Sequence, residues 1–307
     1  MKISSQFSVI SYRLSVIGNR FCCLKFKSGR RQEAGVGSIF LLSIIIIFLI
    51  SFQQQTTNNK QQTSGFKLIR NINIEAKDIQ TDRLGNLYVV TKTNQLYKYD
   101  SRGDLLCTLN YKYVGNISHI DANNPLEIYI FYKELNKILF IDNNLAYRGE
   151  VDLNDFGINQ ATAVARSFDN GIWVFDASDL QLKRLTKAGE ILQKSGNVKQ
   201  FVNSAISPNF IYDNNDRIFL NDSSTGIHLF TVFANFQKTI HITGCDDFKI
   251  IGDDLFYNKN KKLIRYNLKM FSESEFTLPD TTFIQNISIE KDRLYLLKPA
   301  EVDIYSY

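Results

Sequence analysis

The chain has 307 residues, 44% of them hydrophobic and 13% aromatic, which is enough for a core and too apolar for a disordered chain. Its net charge of +5 is local: residues 1–37 hold seven Lys and Arg against Glu33, and residues 38–307 sum to −1. A nearly neutral remainder provides no phosphate-binding stripe and argues against nucleic acid as a partner.

Residues 1–37 read as a basic cytoplasmic leader. Its length is unusual, and Met1 is the only methionine before Met270, so a start of translation nearer Lys25 also fits. Cys22 and Cys23 precede the apolar run, where the lipid-modified cysteine of an exported lipoprotein would not lie. No CxxC or Cys/His spacing suggests a disulfide framework or a zinc site.

Residues 38–52, from Ser38 through four successive isoleucines to Phe52, form a hydrophobic helix that reads as a signal peptide or a transmembrane anchor. Basic residues ahead of it keep the N-terminus in the cytoplasm and send the rest across the membrane. Uncleaved, it places the remainder in the periplasm on an inner-membrane anchor; cleaved, it gives a secreted protein. The small-x-small pattern for cleavage is absent around Leu49 to Phe52, which leans toward the anchor. Residues 53–65 are polar and read as a flexible tether.

Residues 66–307 repeat one short pattern six times: two turn-type or polar residues, then Leu or Ile, usually an aromatic, then another apolar residue. The copies centre on Leu87-Tyr88-Val89, Ile128-Tyr129-Ile130, Ile172-Trp173-Val174, Ile218-Phe219-Leu220, Leu255-Phe256-Tyr257 and Leu294-Tyr295-Leu296. Self-similarity at roughly 40 residues per copy, with several short strands in each, predicts a β-propeller. The pattern marks the second of four strands per blade, and segments such as Leu96–Tyr99 and Ile138–Ile141 supply the third. Asp100-Ser101-Arg102-Gly103 and Asp213-Asn214-Asn215-Asp216 read as turns; the second lacks the residue order and distal Glu of an EF-hand loop. The sixth copy runs out after its third strand, while Phe66–Ile72 is an orphan strand ahead of the first copy. The predicted fold is therefore all-β: a six-bladed β-propeller closed by an N-terminal strand that completes the last blade.

Asp82-Arg83-Leu84-Gly85-Asn86-Leu87-Tyr88-Val89-Val90, followed by Leu96 through Leu106 with Asp100-Ser101-Arg102-Gly103, resembles a blade of the NHL-type six-bladed propellers. The other copies keep the spacing and lose the Gly-Asn and Asp-x-x-Gly elements. The chain is also similar to exported propellers of Bacteroidetes-type bacteria, a resemblance that implies no particular activity.

Propellers act through the central channel and the loops around it, because blade interiors are filled with apolar side chains. Aligning the copies gives Asp78, His119, Arg166, Asn209, Lys249 and Asn286 as candidate channel-binding residues. They are mixed in charge and form no repeated metal-binding ring. HExxH, GxSxG and Walker patterns are absent. Trp173, the sole tryptophan, reads as packing, and His228 and His241 as structural or solvent-facing. The favoured function is a non-catalytic, monomeric binding module without a cofactor, presenting a face or channel to an envelope protein or a small ligand. Tyr111 with Tyr113, Phe233 with Phe236, and Phe271 with Phe276 are candidate contact aromatics. The alternative is a lactonase-like hydrolase or lyase, with Asp78, His119, Asn209 and Asn286 around a divalent cation.

Overall fold

A computed structural model describes residues 65–110 and 115–307. The predicted leader and apolar segment, all of the tether except Gly65, and Tyr111 and Tyr113 lie outside the described residues.

Strand β1 (Lys67–Asn73) comes first in the chain, and six four-stranded antiparallel sheets are formed in all. The first is β2 (Ala76–Thr81), β3 (Leu87–Thr91), β4 (Leu96–Tyr99) and β5 (Leu105–Thr108). The second is β6 (His119–Asp121), β7 (Glu127–Tyr132), β8 (Lys137–Asp142) and β9 (Tyr147–Asp152). The third is β10 (Ala161–Arg166), β11 (Ile172–Asp176), β12 (Gln181–Leu185) and β13 (Ile191–Lys194). A short helix, α1 (Val198–Val202), leads to β14 (Phe210–Asp213), β15 (Arg217–Asp222), β16 (Gly226–Thr231) and β17 (Phe236–Ile240). The fifth is β18 (Phe248–Ile251), β19 (Asp254–Lys259), β20 (Lys262–Asn267) and β21 (Ser272–Phe276). The sixth contains β22 (Asn286–Glu290), β23 (Arg293–Leu297) and β24 (Glu301–Ser306), with β1 paired antiparallel to β24 at its outer edge.

The repeated pattern falls on the second strand of every blade. Those strands read as continuous apolar runs because neighbouring blades cover both faces, and every residue of β3 and β11 is buried. The outermost strands have one free edge and are largely exposed, as in β5 and β21. Core clusters bridge adjacent blades. One joins Tyr88 and Val90 to Ile128 and Ile130; another joins Leu87 and Val89 to Tyr295 and Leu297.

The pattern's aromatic does more than fill space. Tyr295 Oη donates to the Gly85 carbonyl at 2.6 Å, Tyr129 Oη to that of Gly171 at 3.3 Å, and Trp173 Nε1 to Asp213 at 2.9 Å. Each bond fastens one blade to the next while the ring fills the interface. Gly85 sits in a tight turn at φ +78°, a left-handed conformation that favours glycine. The Asp213 to Asp216 segment is a hairpin turn between β14 and β15, with Asn214 N donating to Arg217 O at 3.0 Å. His228 is fully buried in β16 between the Thr225 and Thr239 hydroxyls, and burial pushes its pKa down to about 4. His241 is exposed.

Candidate functional site

Strand register shows which side chains share a level of the channel. Asp78 faces Val90, His119 faces Phe131, Ala163 faces Phe175, Phe210 faces Asn221 and Asn286 faces Leu297. Each partner is the third residue after the first apolar residue of the repeated pattern. In the fifth blade Phe248 faces Tyr257, so the next step of the ladder sets Asp247 against Asn258, the corresponding place. One level therefore carries Asp78, His119, Ala163, Phe210, Asp247 and Asn286. The next level inward carries Gln80, Asp121, Lys249 and Ser288.

Contacts between non-adjacent blades constrict the channel at these levels. Gln80 of the first blade donates to Asp247 of the fifth at 3.1 Å. The His119 ring of the second blade meets Phe210 of the fourth edge-on, with centroids 5.3 Å apart. Lys249 Nζ lies 2.6 Å from Glu290 and donates to the Thr81 carbonyl at 2.7 Å. A cavity of about 840 Å³ remains at the leading ends of the inner strands, lined in part by Asp78, His119, Asn209, Asp247, Asn258 and Asn286.

Four of the six sequence candidates thus come together: Asp78, His119, Asn209 and Asn286. Lys249 lies deeper, held by Glu290 and Thr81. Arg166 lies at the opposite mouth, in a separate recess of about 160 Å³ with Arg83, Asn123 and Asp213. The candidate aromatic pairs separate: Phe236 stacks on Phe201 and Phe276 packs against Phe66, while Phe233 and Phe271 are exposed.

Alignment by sequence distance missed Asp247, Gln80 and Asn258. Asp247 stands eight residues before Leu255, as Asn286 does before Leu294, whereas Lys249 stands six before Leu255 and faces Phe256, one level deeper. Counting ladder steps would have found Asp247.

The carboxylates are part-exposed to the cavity yet enclosed by protein on the other sides. Burial, reinforced by the negative charge of Asp247, pushes the Asp78 pKa up to about 7, against hydrogen bonds from Ile79, Asn286 and Gln80 that favour ionisation. Burial likewise raises Asp247 and lowers His119. Neither ring nitrogen of His119 has a hydrogen-bond partner among the described residues. Lys77 is turned away, donating to Asn94 at 3.0 Å and the Ile117 carbonyl at 2.9 Å, and burial lowers its pKa.

The donor set does not fit the cation of the hydrolase or lyase alternative. The ligating oxygens of both asparagines are already engaged: Asn286 Oδ1 accepts from the Ile287 amide at 2.7 Å and Asn209 Oδ1 from the Asn221 side chain at 2.9 Å. Among the described residues no three His, Cys, Asp or Glu side chains gather where one metal ion could be held.

No protein-family model matches the chain. No curated protein matches it at significant similarity. Solved structures do. A streptogramin B lyase is 12% identical with a TM-score of 0.56, over 78% of this chain and 97% of its own. A catalytically inactive virginiamycin B lyase from Staphylococcus aureus, with quinupristin, is 13% identical with a TM-score of 0.55, over 79% and 99%. A predicted exported protein of Bacteroides fragilis is 12% identical with a TM-score of 0.54, over 79% and 95%. At these identities the likeness defines the fold alone: the chain is a six-bladed β-propeller.

Proposed function

We propose that the protein is an exported, NHL-like propeller acting as a non-catalytic binding module. It takes a small ligand, or a side chain of an envelope partner, into the cavity at the leading mouth. The observation that carries this reading is the level of Asp78, His119, Asp247 and Asn286 around that cavity. Two carboxylates are kept from ionising easily there, and an imidazole has no hydrogen-bond partner among the described residues. Polar groups desolvated without full pairing stand ready for a ligand that completes them.

Export is supported by the apolar run at residues 38–52 and by the likeness to a predicted exported protein. Among the described residues no helix is long and apolar enough to cross a membrane. The proposed anchor is therefore residues 38–52 themselves.

The test is affinity purification of the tagged full-length protein from native envelope, with proteins and small molecules both quantified by mass spectrometry. The comparator is Gln285→Trp, which fills the cavity from an exposed lining position. A near-stoichiometric species retained by the wild type and lost from the variant supports the reading. Equal recovery from both, or no such species, rejects it.

A further inference from the structure

We propose that this cavity selects an organic cation, an ammonium or guanidinium group whose N–H donors are received at the level of Asp78 and Asp247. The inference rests on the binding reading above and names the ligand class for the same site.

Hydrogen-bond capacity around the cavity is unbalanced toward acceptors. Several lining donors are already directed within the protein: Gln80 to Asp247, Asn286 to Asp78, Asn209 to the Asp246 carbonyl, and Lys77 to Asn94 and the Ile117 carbonyl. The acceptors are not filled. Asp247 receives one side-chain bond, from Gln80, against room for about four on a carboxylate. Independently, Asn258, which lines the same cavity, has a buried Oδ1 with no donor among the described residues. A ligand bringing several N–H groups fits this imbalance.

Charge points the same way. Asp78, Asp246 and Asp247 line the cavity, with Lys77 and Lys261 as the lining cations. Lys77 is engaged elsewhere, and Lys261 is exposed on the turn between β19 and β20. Below this level Lys249 is paired with Glu290, and the Asp121 carboxylate receives the Arg166 and Asn123 backbone amides. His119 faces Asp247 and Asp121 with its charge suppressed by burial. A bound anion would add to two buried carboxylates, and a neutral ligand would leave their repulsion in place. A planar guanidinium can donate to both.

Binding is then linked to protons. A cation favours the ionised form of Asp78, whose pKa lies near 7, so affinity rises with pH through that value and levels off above it.

The experiment is calorimetric titration of the full-length protein with N-acetyl-argininamide and with N-acetyl-citrullinamide, its neutral isostere, at pH 6 and pH 8. The expected result is that the arginine probe binds about tenfold or more tightly at pH 8, the size of one charge-assisted contact. Its advantage should shrink several-fold at pH 6, where about nine in ten Asp78 side chains hold a proton. Asp78→Asn should cut the preference several-fold and flatten the pH effect; Asp247→Asn is the second variant should the first fail to fold. A peptide with a central arginine that binds more tightly than the capped residue identifies a protein segment as the source; equal binding identifies a small molecule. Citrulline binding equal to or tighter than arginine, or an arginine preference independent of pH, overturns the cation inference and leaves the binding site standing. No binding of either probe, together with envelope capture unaffected by Gln285→Trp, removes both.

Discussion

Asn286 donates its side-chain amide to Asp78 at 3.0 Å, across the seam where the sixth blade meets the first. The carboxyl it touches is held near pKa 7, against an ordinary 3.8, mainly by burial. Between about pH 4 and pH 7 the folded protein therefore keeps a proton that the unfolded chain releases, so stability falls as pH rises across that window. Asp78→Asn removes the charge and can still accept from Asn286. We expect it to be more stable than the wild type by on the order of 2 kcal/mol at pH 8, with little difference at pH 4. Denaturant titrations at the two values measure this, and an equal difference at both would contradict the assignment.

The polar tips of the repeated aromatics should be worth more than their rings alone. Trp173→Phe removes the donor to buried Asp213 and is expected to cost about 2–3 kcal/mol from the lost bond and the smaller ring together. Tyr295→Phe leaves the Gly85 carbonyl without that bond, at about 1 kcal/mol. The two act at different seams, so the double variant should show the sum to within about 0.5 kcal/mol. Equilibrium unfolding of the three proteins checks both the sizes and the additivity.

Lys249 and Glu290 form a 2.6 Å ion pair inside the channel. Lys249→Met strands the Glu290 carboxylate and should destabilise by about 3 kcal/mol, whereas Lys249→Met with Glu290→Gln should recover most of that loss. A double variant as unstable as the single one would show that packing of the lysine stem, rather than charge, holds this level together.

Much of the ring was legible because one strand per blade is buried on both faces. Leu87-Tyr88-Val89 and its five counterparts carry the apolar signature that such burial demands, and the turn at Asp213 to Asp216 was equally plain. The staple bonds were not legible. Trp173 read correctly as packing, but its partner Asp213 lies in the following blade, and sequence spacing carries no sign of that contact. Asp78, His119, Asn209 and Asn286 were found because the turns after their strands, though unequal, left them at one mouth. Arg166 is displaced because it closes its strand, opposite Ile172, and so emerges at the far mouth. Asp247 was missed although it stands eight residues before Leu255, as Asn286 does before Leu294; the candidate in that blade, Lys249, stands six before Leu255 and falls one level deeper.

The most direct measurement is site-specific photocrosslinking in the native envelope, with a benzophenone side chain in place of Phe283, which is 77% exposed on the cavity rim, or of Leu126, which is 73% exposed next to the recess at the opposite mouth. A discrete adduct from position 283, absent from position 126 and suppressed by Gln285→Trp, is the predicted result. Adducts of equal yield from both positions, or none from position 283, would contradict the assignment of the leading-mouth cavity as the binding site.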